Sequence, residues 1–240
     1  MKSASYPDFI SWLSDAVAEE YGRHSYLMES DRLSEFDKDA FGQLASGRAD
    51  IGQLGRSLLR LTVLLQQHHG QSVVVLIDEY DAPVMAAHAN GCYDEVMSFL
   101  KRWLTGALKS NDALAFAVMT GVQRISKESI FSDLNNLQVD TPLNVASDER
   151  FGFTQAEVEA LAEYVGSASS VLQAREWYDG YRFGDVDAYN PWSVLNYFGN
   201  GCVPDVYWGN TSSNSVLGGL VADADDKMLK RLYALVEPGG

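Results

Sequence analysis

Apolar residues recur along this chain in two rhythms. Phe9, Leu13 and Val17 share one helical face, and Ile51, Leu54, Leu58, Leu61 and Leu65 repeat at spacings of three and four. Both patterns predict amphipathic helices, one over 9–21 and one running from a cap at Asp50 to about His69, where Gly70 stops it. Between them, residues 22–36 are polar and irregular, and Asp37 is a candidate cap for a short helix through Leu44. The rhythm then breaks. Val73-Val74-Val75-Leu76-Ile77 is continuously apolar with four β-branched residues, too short for a helix, and predicts a strand buried on both faces. A loop follows Pro83 as far as Gly91, and a helix over 93–109 buries Val96, Phe99, Leu100, Trp103, Leu104 and Leu108. Leu114–Met119 is a second apolar strand. Strand, crossover helix and strand make a right-handed βαβ unit with parallel strands.

Beyond about residue 150 the texture is mainly helical. Thr154 with Glu157 three residues on forms a capping box for a helix carrying Val158, Leu161 and Val165. A second helix is expected over 169–177. Tyr178-Asp179-Gly180-Tyr181-Arg182-Phe183-Gly184 alternates aromatic and turn residues and reads as a small hairpin. Asn190-Pro191 is an N-cap followed by a first-turn proline, opening a helix to Phe198. Further helices are expected from Tyr207 and over 225–236, and 134–145 is expected to supply another strand.

Chemistry concentrates at the end of the first strand. Asp78, Glu79 and Asp81 follow Ile77, at the sheet edge where ligands sit in open α/β sheets. An apolar strand ending in Asp-Glu is the Walker B pattern of nucleotide hydrolases: Asp78 holds Mg²⁺, a hard cation that seeks oxygen, and Glu79 polarises the water that attacks the γ-phosphate. Asp81 has two readings, an outer carboxylate of the same cofactor site or the Asp-Ala-Pro start of a turn. The second strand ends in Thr120-Gly121 at the same edge. Thr120 either senses phosphate and orients water or simply ends a strand by propensity. Arg124, four residues on, either stabilises charge on a transferring phosphoryl group or pairs with a carboxylate for structural reasons. The phosphate cradle that such a site requires is not found, since no GxxxxGK[ST] occurs. The nearest approach, Gly52-Gln53-Leu54-Gly55-Arg56-Ser57, lies inside a helical stripe and follows no strand.

Bulk composition narrows the rest. The chain has 240 residues, 46% of them hydrophobic, so a sizeable core is expected. The formal charge of −15 opposes direct binding of nucleic acid by this segment. The aromatic group Trp177, Tyr178, Tyr181, Phe183, Tyr189 and Trp192 has few basic neighbours and is better explained as a hairpin packed on helices than as a base-stacking platform. Two distant cysteines, Cys92 and Cys202, suit a reducing cytoplasm. No run has the length of a membrane span, and no signal-peptide pattern opens the chain. His68-His69 belong to no metal motif and complement a helix C-terminus.

Several separate blocks closely resemble one family. These are Leu76-Ile77-Asp78-Glu79-Tyr80-Asp81-Ala82-Pro83-Val84, Thr120-Gly121-Val122-Gln123-Arg124-Ile125-Ser126-Lys127-Glu128-Ser129-Ile130-Phe131, Leu134-Asn135-Asn136-Leu137, Phe151-Gly152-Phe153-Thr154, Trp177-Tyr178-Asp179-Gly180-Tyr181-Arg182-Phe183-Gly184, Tyr189-Asn190-Pro191-Trp192-Ser193-Val194-Leu195-Asn196, and Tyr207-Trp208 with Asn210-Thr211-Ser212-Ser213-Asn214. Together they are similar to the bacterial AAA-ATPase-like proteins, often fused to a PD-(D/E)xK nuclease-like domain. The resemblance implies an α/β fold: a partial P-loop NTPase core of the inserted-glutamate (ASCE) type over 1–147, with the sensor strand beside the Walker B strand, then a helical lid-like domain with a hairpin over 148–240. It implies ATP and Mg²⁺ as ligands, with Asp78 on the metal, Glu79 on the water and Thr120 as sensor, while Arg124 matches a motif position of unassigned role. It also implies a phosphate loop ending in Gly-Lys-Ser upstream and a nuclease-like domain downstream. On this reading the chain is an ATPase fragment, the alternative being a degenerate NTPase fold kept as an interaction scaffold.

Overall fold

The computed structural model describes residues 5–122, 137–208 and 225–236. The chain divides into two compact units, Met1–Leu137 and Gln138–Gly240, a partition that falls earlier than the change of texture in the sequence.

In the first unit, α1 (Tyr6–Arg23) is capped by Ser5 and buries Phe9, Leu13, Val17 and Tyr21 on one face. α2 (Glu35–Ala45) is capped by Ser34, not Asp37. Asp37 sits three residues in and returns the bond to the Ser34 N–H, completing a capping box. Residues 25–29, expected to be irregular, form a 3-10 turn. The helix expected from Asp50 to His69 is two helices, α3 (Ile51–Leu54) and α4 (Ser57–His69). The break falls at Gly55-Arg56, where the Arg56 N–H closes a tight turn onto the Gln53 carbonyl. Gly70 ends α4 with φ +69°, a left-handed conformation that glycine adopts without strain.

β1 (Val73–Ile77) follows. The stretch expected as a loop is α5 (Ala82–Asn90), with Pro83 in its first turn and Gly91 at φ 73° closing it. α6 (Tyr93–Leu108) buries Val96, Phe99, Leu100 and Leu104, then β2 (Leu114–Met119) pairs parallel with β1. α4 packs on β1, and α6 packs on both α4 and β2. The core of this unit joins α1, α2, α4, α5 and α6 around Phe9, Tyr21, Phe41, Leu64, Val96 and Phe99.

One expectation fails here. β1 is not buried on both faces. Val75 is 7% exposed, but Val74 is 55% and Leu76 74% exposed, and on β2 Phe116 and Val118 are exposed beside them. Helices of the described residues cover one face of the pair only, so its apolar composition exceeds what that coverage needs.

The second unit is built on buried tyrosines. The Thr154–Glu157 capping box opens α7 (Gln155–Tyr164). α8 (Val171–Tyr178) leads into a hairpin of β3 (Asp179–Phe183) and β4 (Val186–Tyr189), and Asn190 caps α9 (Pro191–Gly199). Tyr178, Tyr189 and Tyr197 join Val158, Ala162, Ala174, Val194 and Phe198 in the core. Each phenol has a partner: Tyr178 donates to the Asp205 carbonyl, Tyr197 to Gln173 Oε1, and Tyr189 to Gln155 Oε1. The aromatic cluster of the sequence therefore divides. Tyr178 and Tyr189 are core, while Trp177, Tyr181 and Trp192 keep about half their surface in water. Gly152 has no side chain because a Cβ there would lie 2.8 Å from the Tyr189 carbonyl oxygen, to which the Phe153 strand residue pairs. Residues 137–144 are not a strand as expected, and 145–150 form a 3-10 turn; 134–136 lie outside the described residues. The helix expected from Tyr207 also lies mostly outside them, with Tyr207 and Trp208 in a bend. The last helix among the described residues is α10 (Asp226–Val236). The architecture is thus mixed and mainly helical, with a small parallel pair and a separate antiparallel hairpin.

Candidate functional site

The β1–β2 ladder decides what happens at the strand ends. Val73 N–H reaches the Ala113 carbonyl, and the Thr120 N–H reaches the Ile77 carbonyl. In a regular parallel ladder the Glu79 N–H would next bond the Thr120 carbonyl. It does not, because Glu79 has φ +52°. That left-handed residue slips the chain by one, so the Tyr80 N–H takes the Thr120 carbonyl instead at 3.0 Å. The Glu79 N–H is freed and turns to Asp78 Oδ1 at 3.0 Å and to Thr120 Oγ1 at 3.4 Å. The Thr120 hydroxyl in turn donates to Asp78 Oδ1. A non-glycine residue in this conformation costs on the order of 1 kcal/mol, and it is held here by the ladder bonds on both sides.

Asp78, Glu79 and Thr120 are therefore joined at one junction, and all three are exposed. Asp78 Oδ1 is occupied by two donors, which fixes the carboxylate plane and leaves Oδ2 without a partner among the described residues. The Thr120 hydrogen points at Asp78, so in this state the hydroxyl orients the carboxylate.

Asp81 stands differently. It is 3% exposed, at the start of α5, where its carbonyl accepts the Met85 N–H. Gly121 packs against it: a Cβ on Gly121 would lie 2.7 Å from Tyr80 Cε1 and 2.8 Å from Asp81 Oδ1. The turn after β1 and the turn after β2 thus approach so closely that only glycine fits. The left-handed Glu79 and this close approach carry the geometry. The glycine after Thr120 was the only sequence signal for either. Arg124 lies outside the described residues. Among the described residues no cluster of three or more His, Cys, Asp or Glu side chains could hold a metal by itself, and no helix is long and apolar enough to cross a membrane.

The sequence profile of the family described as "predicted AAA-ATPase" matches residues 11–131, the stretch that contains both strands and the junction. The chain belongs to this AAA-ATPase-like family. It is also 31% identical over 177 residues, 69% of its own length, to a protein of Azotobacter chroococcum mcd 1 named "uncharacterized protein in vnfD 5'region". The match spans about 31% of that relative's length. No solved structure matches.

Proposed function

We propose that this chain supplies the metal- and water-handling half of an ATP-hydrolysing site. The observation that carries the reading is the junction of Asp78, Glu79 and Thr120 at the ends of two paired parallel strands, in a chain of the AAA-ATPase-like family. The donor set fits Mg²⁺. This ion keeps most of its waters and takes one or two carboxylates plus phosphate oxygens, so a single oriented Asp78 Oδ2 suffices and a three-carboxylate cage is not required. Bound there, Mg²⁺ would neutralise charge on the transferring phosphoryl group.

The chain's own residues have separable tasks. Thr120 holds the Asp78 carboxylate in one orientation, so its sensor role begins as positioning. Glu79, exposed and ionisable, accepts a proton from the attacking water. Asp81, by its burial, acts on the cofactor through the packing of Tyr80 and Gly121. Arg124 contributes positive charge to the phosphate side. The phosphate grip itself comes from polypeptide other than residues 1–240, because these contain no GxxxxGK[ST]. A nuclease-like domain belongs to the same proposal as a partner in a longer polypeptide.

The test is Glu79→Gln in a polypeptide that joins this chain to a Gly-Lys-Ser/Thr loop. ATP binding should persist while turnover falls by about 10²–10⁴-fold, the usual contribution of a general base. Undiminished hydrolysis would remove Glu79 from the mechanism. The absence of the loop motif also favours a second reading, a scaffold with no turnover. Calorimetric titration with Mg-ATP should show no tight binding to residues 1–240 alone. If the chain joined to the loop also fails to bind, the scaffold reading stands.

A further inference from the structure

We propose that Tyr80 is a positioning residue for the Asp78–Glu79–Thr120 junction: burial of its ring holds the one-residue slip that carries the Glu79 carboxylate into water beside Asp78. Its consequence for turnover rests on the ATP-hydrolysis reading; its hold on the backbone does not.

The alternation along β1 shows what the slip achieves. Val75 is buried and Ile77 packs against the core of the first unit, while Val74 and Leu76 face water. Carried on for three residues, this period of two sends Asp78 outward, Glu79 inward and Tyr80 outward. The chain does otherwise. Asp78 and Glu79 are both exposed, and Tyr80 packs against the same core as Ile77. The left-handed Glu79, at φ +52°, works as a bulge: it keeps two successive side chains on the outer side and leaves the inner place to the residue after them. The shifted ladder bond, from the Tyr80 N–H to the Thr120 carbonyl at 3.0 Å, records the same exchange in the backbone.

Two residues thus compete for one inner place after Ile77. Tyr80 brings an aromatic ring to it, whereas Glu79 would bring a carboxylate. The seat also fits the ring. A Cβ on Gly121 would lie 2.7 Å from Tyr80 Cε1 and 3.0 Å from Cδ1, so the edge of the ring rests on the bare backbone after Thr120. Filling that seat offsets the cost of a left-handed residue that is not glycine. The contacts that Asp78, Glu79 and Thr120 make among themselves stand at an exposed surface, where water competes for them, so the packed ring is the firmer anchor.

The test follows residue-resolved amide exchange by NMR on the 240-residue chain, in a Glu79→Leu background so that the inner place receives no charge in either register. Glu79→Leu alone should keep the slip, with the amide of residue 80 protected and that of residue 79 exchanging fast. Adding Tyr80→Ala should transfer the protection: residue 80 exchanges about tenfold faster and residue 79 about tenfold slower, one hydrogen bond's worth in each direction. The Val75 and Thr120 amides should not change, and Tyr80→Phe in place of Tyr80→Ala should keep the slip. A transfer already present in Glu79→Leu, a double variant that still protects residue 80, or one that protects neither amide while Val75 and Thr120 stay protected would each overturn the proposal. Should the double variant fail to fold, Gly121→Ala in the same background, which crowds the ring out of its seat, must give the transfer instead. In the polypeptide joined to a Gly-Lys-Ser/Thr loop, Tyr80→Ala should lower kcat by about 10²-fold at unchanged ATP affinity, as a misplaced catalytic group does, and Tyr80→Phe should retain it. Full turnover in Tyr80→Ala would overturn the catalytic consequence. Absent turnover in the unsubstituted polypeptide would sink the hydrolysis reading, and the exchange pattern would still decide what Tyr80 does.

Discussion

The hairpin β3–β4 and the parallel pair β1–β2 have two strands each, yet they solve the problem of a small sheet in opposite ways. The hairpin is amphipathic. Its outer face carries Arg182 opposite Asp187, joined at 2.7 Å, while Ala188 and Tyr189 go into the core. The parallel pair is apolar on both faces and covered on one, with Phe116 and Leu76 left in water. A sheet covered on one face alternates polar and apolar residues; a sheet that does so on neither strand has the composition of one covered on both faces. The difference shows why the two regions respond unequally to perturbation.

The largest expected effect is at the junction. Gly121→Val places a branched side chain into space already filled by Tyr80 and Asp81. It should destabilise the first unit by about 1–3 kcal/mol, as overpacking does, read as a lower denaturation midpoint. The second unit should be untouched, and equal destabilisation of both would dissolve the contrast.

Mildly alkaline pH should act first on the second unit. Burial pushes up the phenol pKa of Tyr178, Tyr189 and Tyr197 in the second unit and of Tyr21 in the first. A phenol whose folded pKa lies above its unfolded value, near 10, keeps its proton longer when folded. The stability this provides is complete below about pH 10 and declines as pH rises from there towards the folded pKa. With three such groups against one, the second unit should lose stability more steeply just above pH 10, while the larger upward shift of Tyr21 carries the first unit's loss further into alkali. Tyr178→Phe together with Tyr197→Phe should flatten that slope; an unchanged slope would assign it elsewhere.

Much of this division is legible in the sequence, and the gaps have causes. Thr154 with Glu157, Asn190-Pro191 and Gly70 announce helix ends because capping is local chemistry, complete within four residues. The helix Ala82–Asn90 is missed because Ala-Pro-Val-Met-Ala-Ala-His-Ala-Asn has no polar face to set a period. The exposed face of β1 is missed because an apolar run records what a strand is made for, not what stands beside it. Asp78, Glu79 and Thr120 can be nominated from strand-end position, but the slip at Glu79 depends on a ladder partner 41 residues away and has no local signature.

That slip supplies a smaller prediction. Glu79→Gly removes the side chain from a left-handed position and should stabilise the first unit by a few tenths to about 1 kcal/mol, measured as a raised midpoint. Destabilisation would mean that the Glu79 side chain contributes more than its backbone costs. Smallest of all is Arg182→Ala. The pair with Asp187 stands in water, so the second unit's melting temperature should not move measurably. A clear drop would show that the hairpin relies on its charged face.

The crossover between β1 and β2 also orders events in time. The hairpin joins residues five apart, but the Asp78–Thr120 contact spans 42. Loops of that length close late, after local helices have formed and shortened the path between the strand ends. The acidic junction should therefore assemble after those helices, though not last in its unit, since the Phe9–Phe99 contact in the core joins residues 90 apart. Its formation offers a kinetic marker for the pairing of the two strands, and any nascent chain halted before Thr120 carries a carboxylate pair without the hydroxyl that orients it.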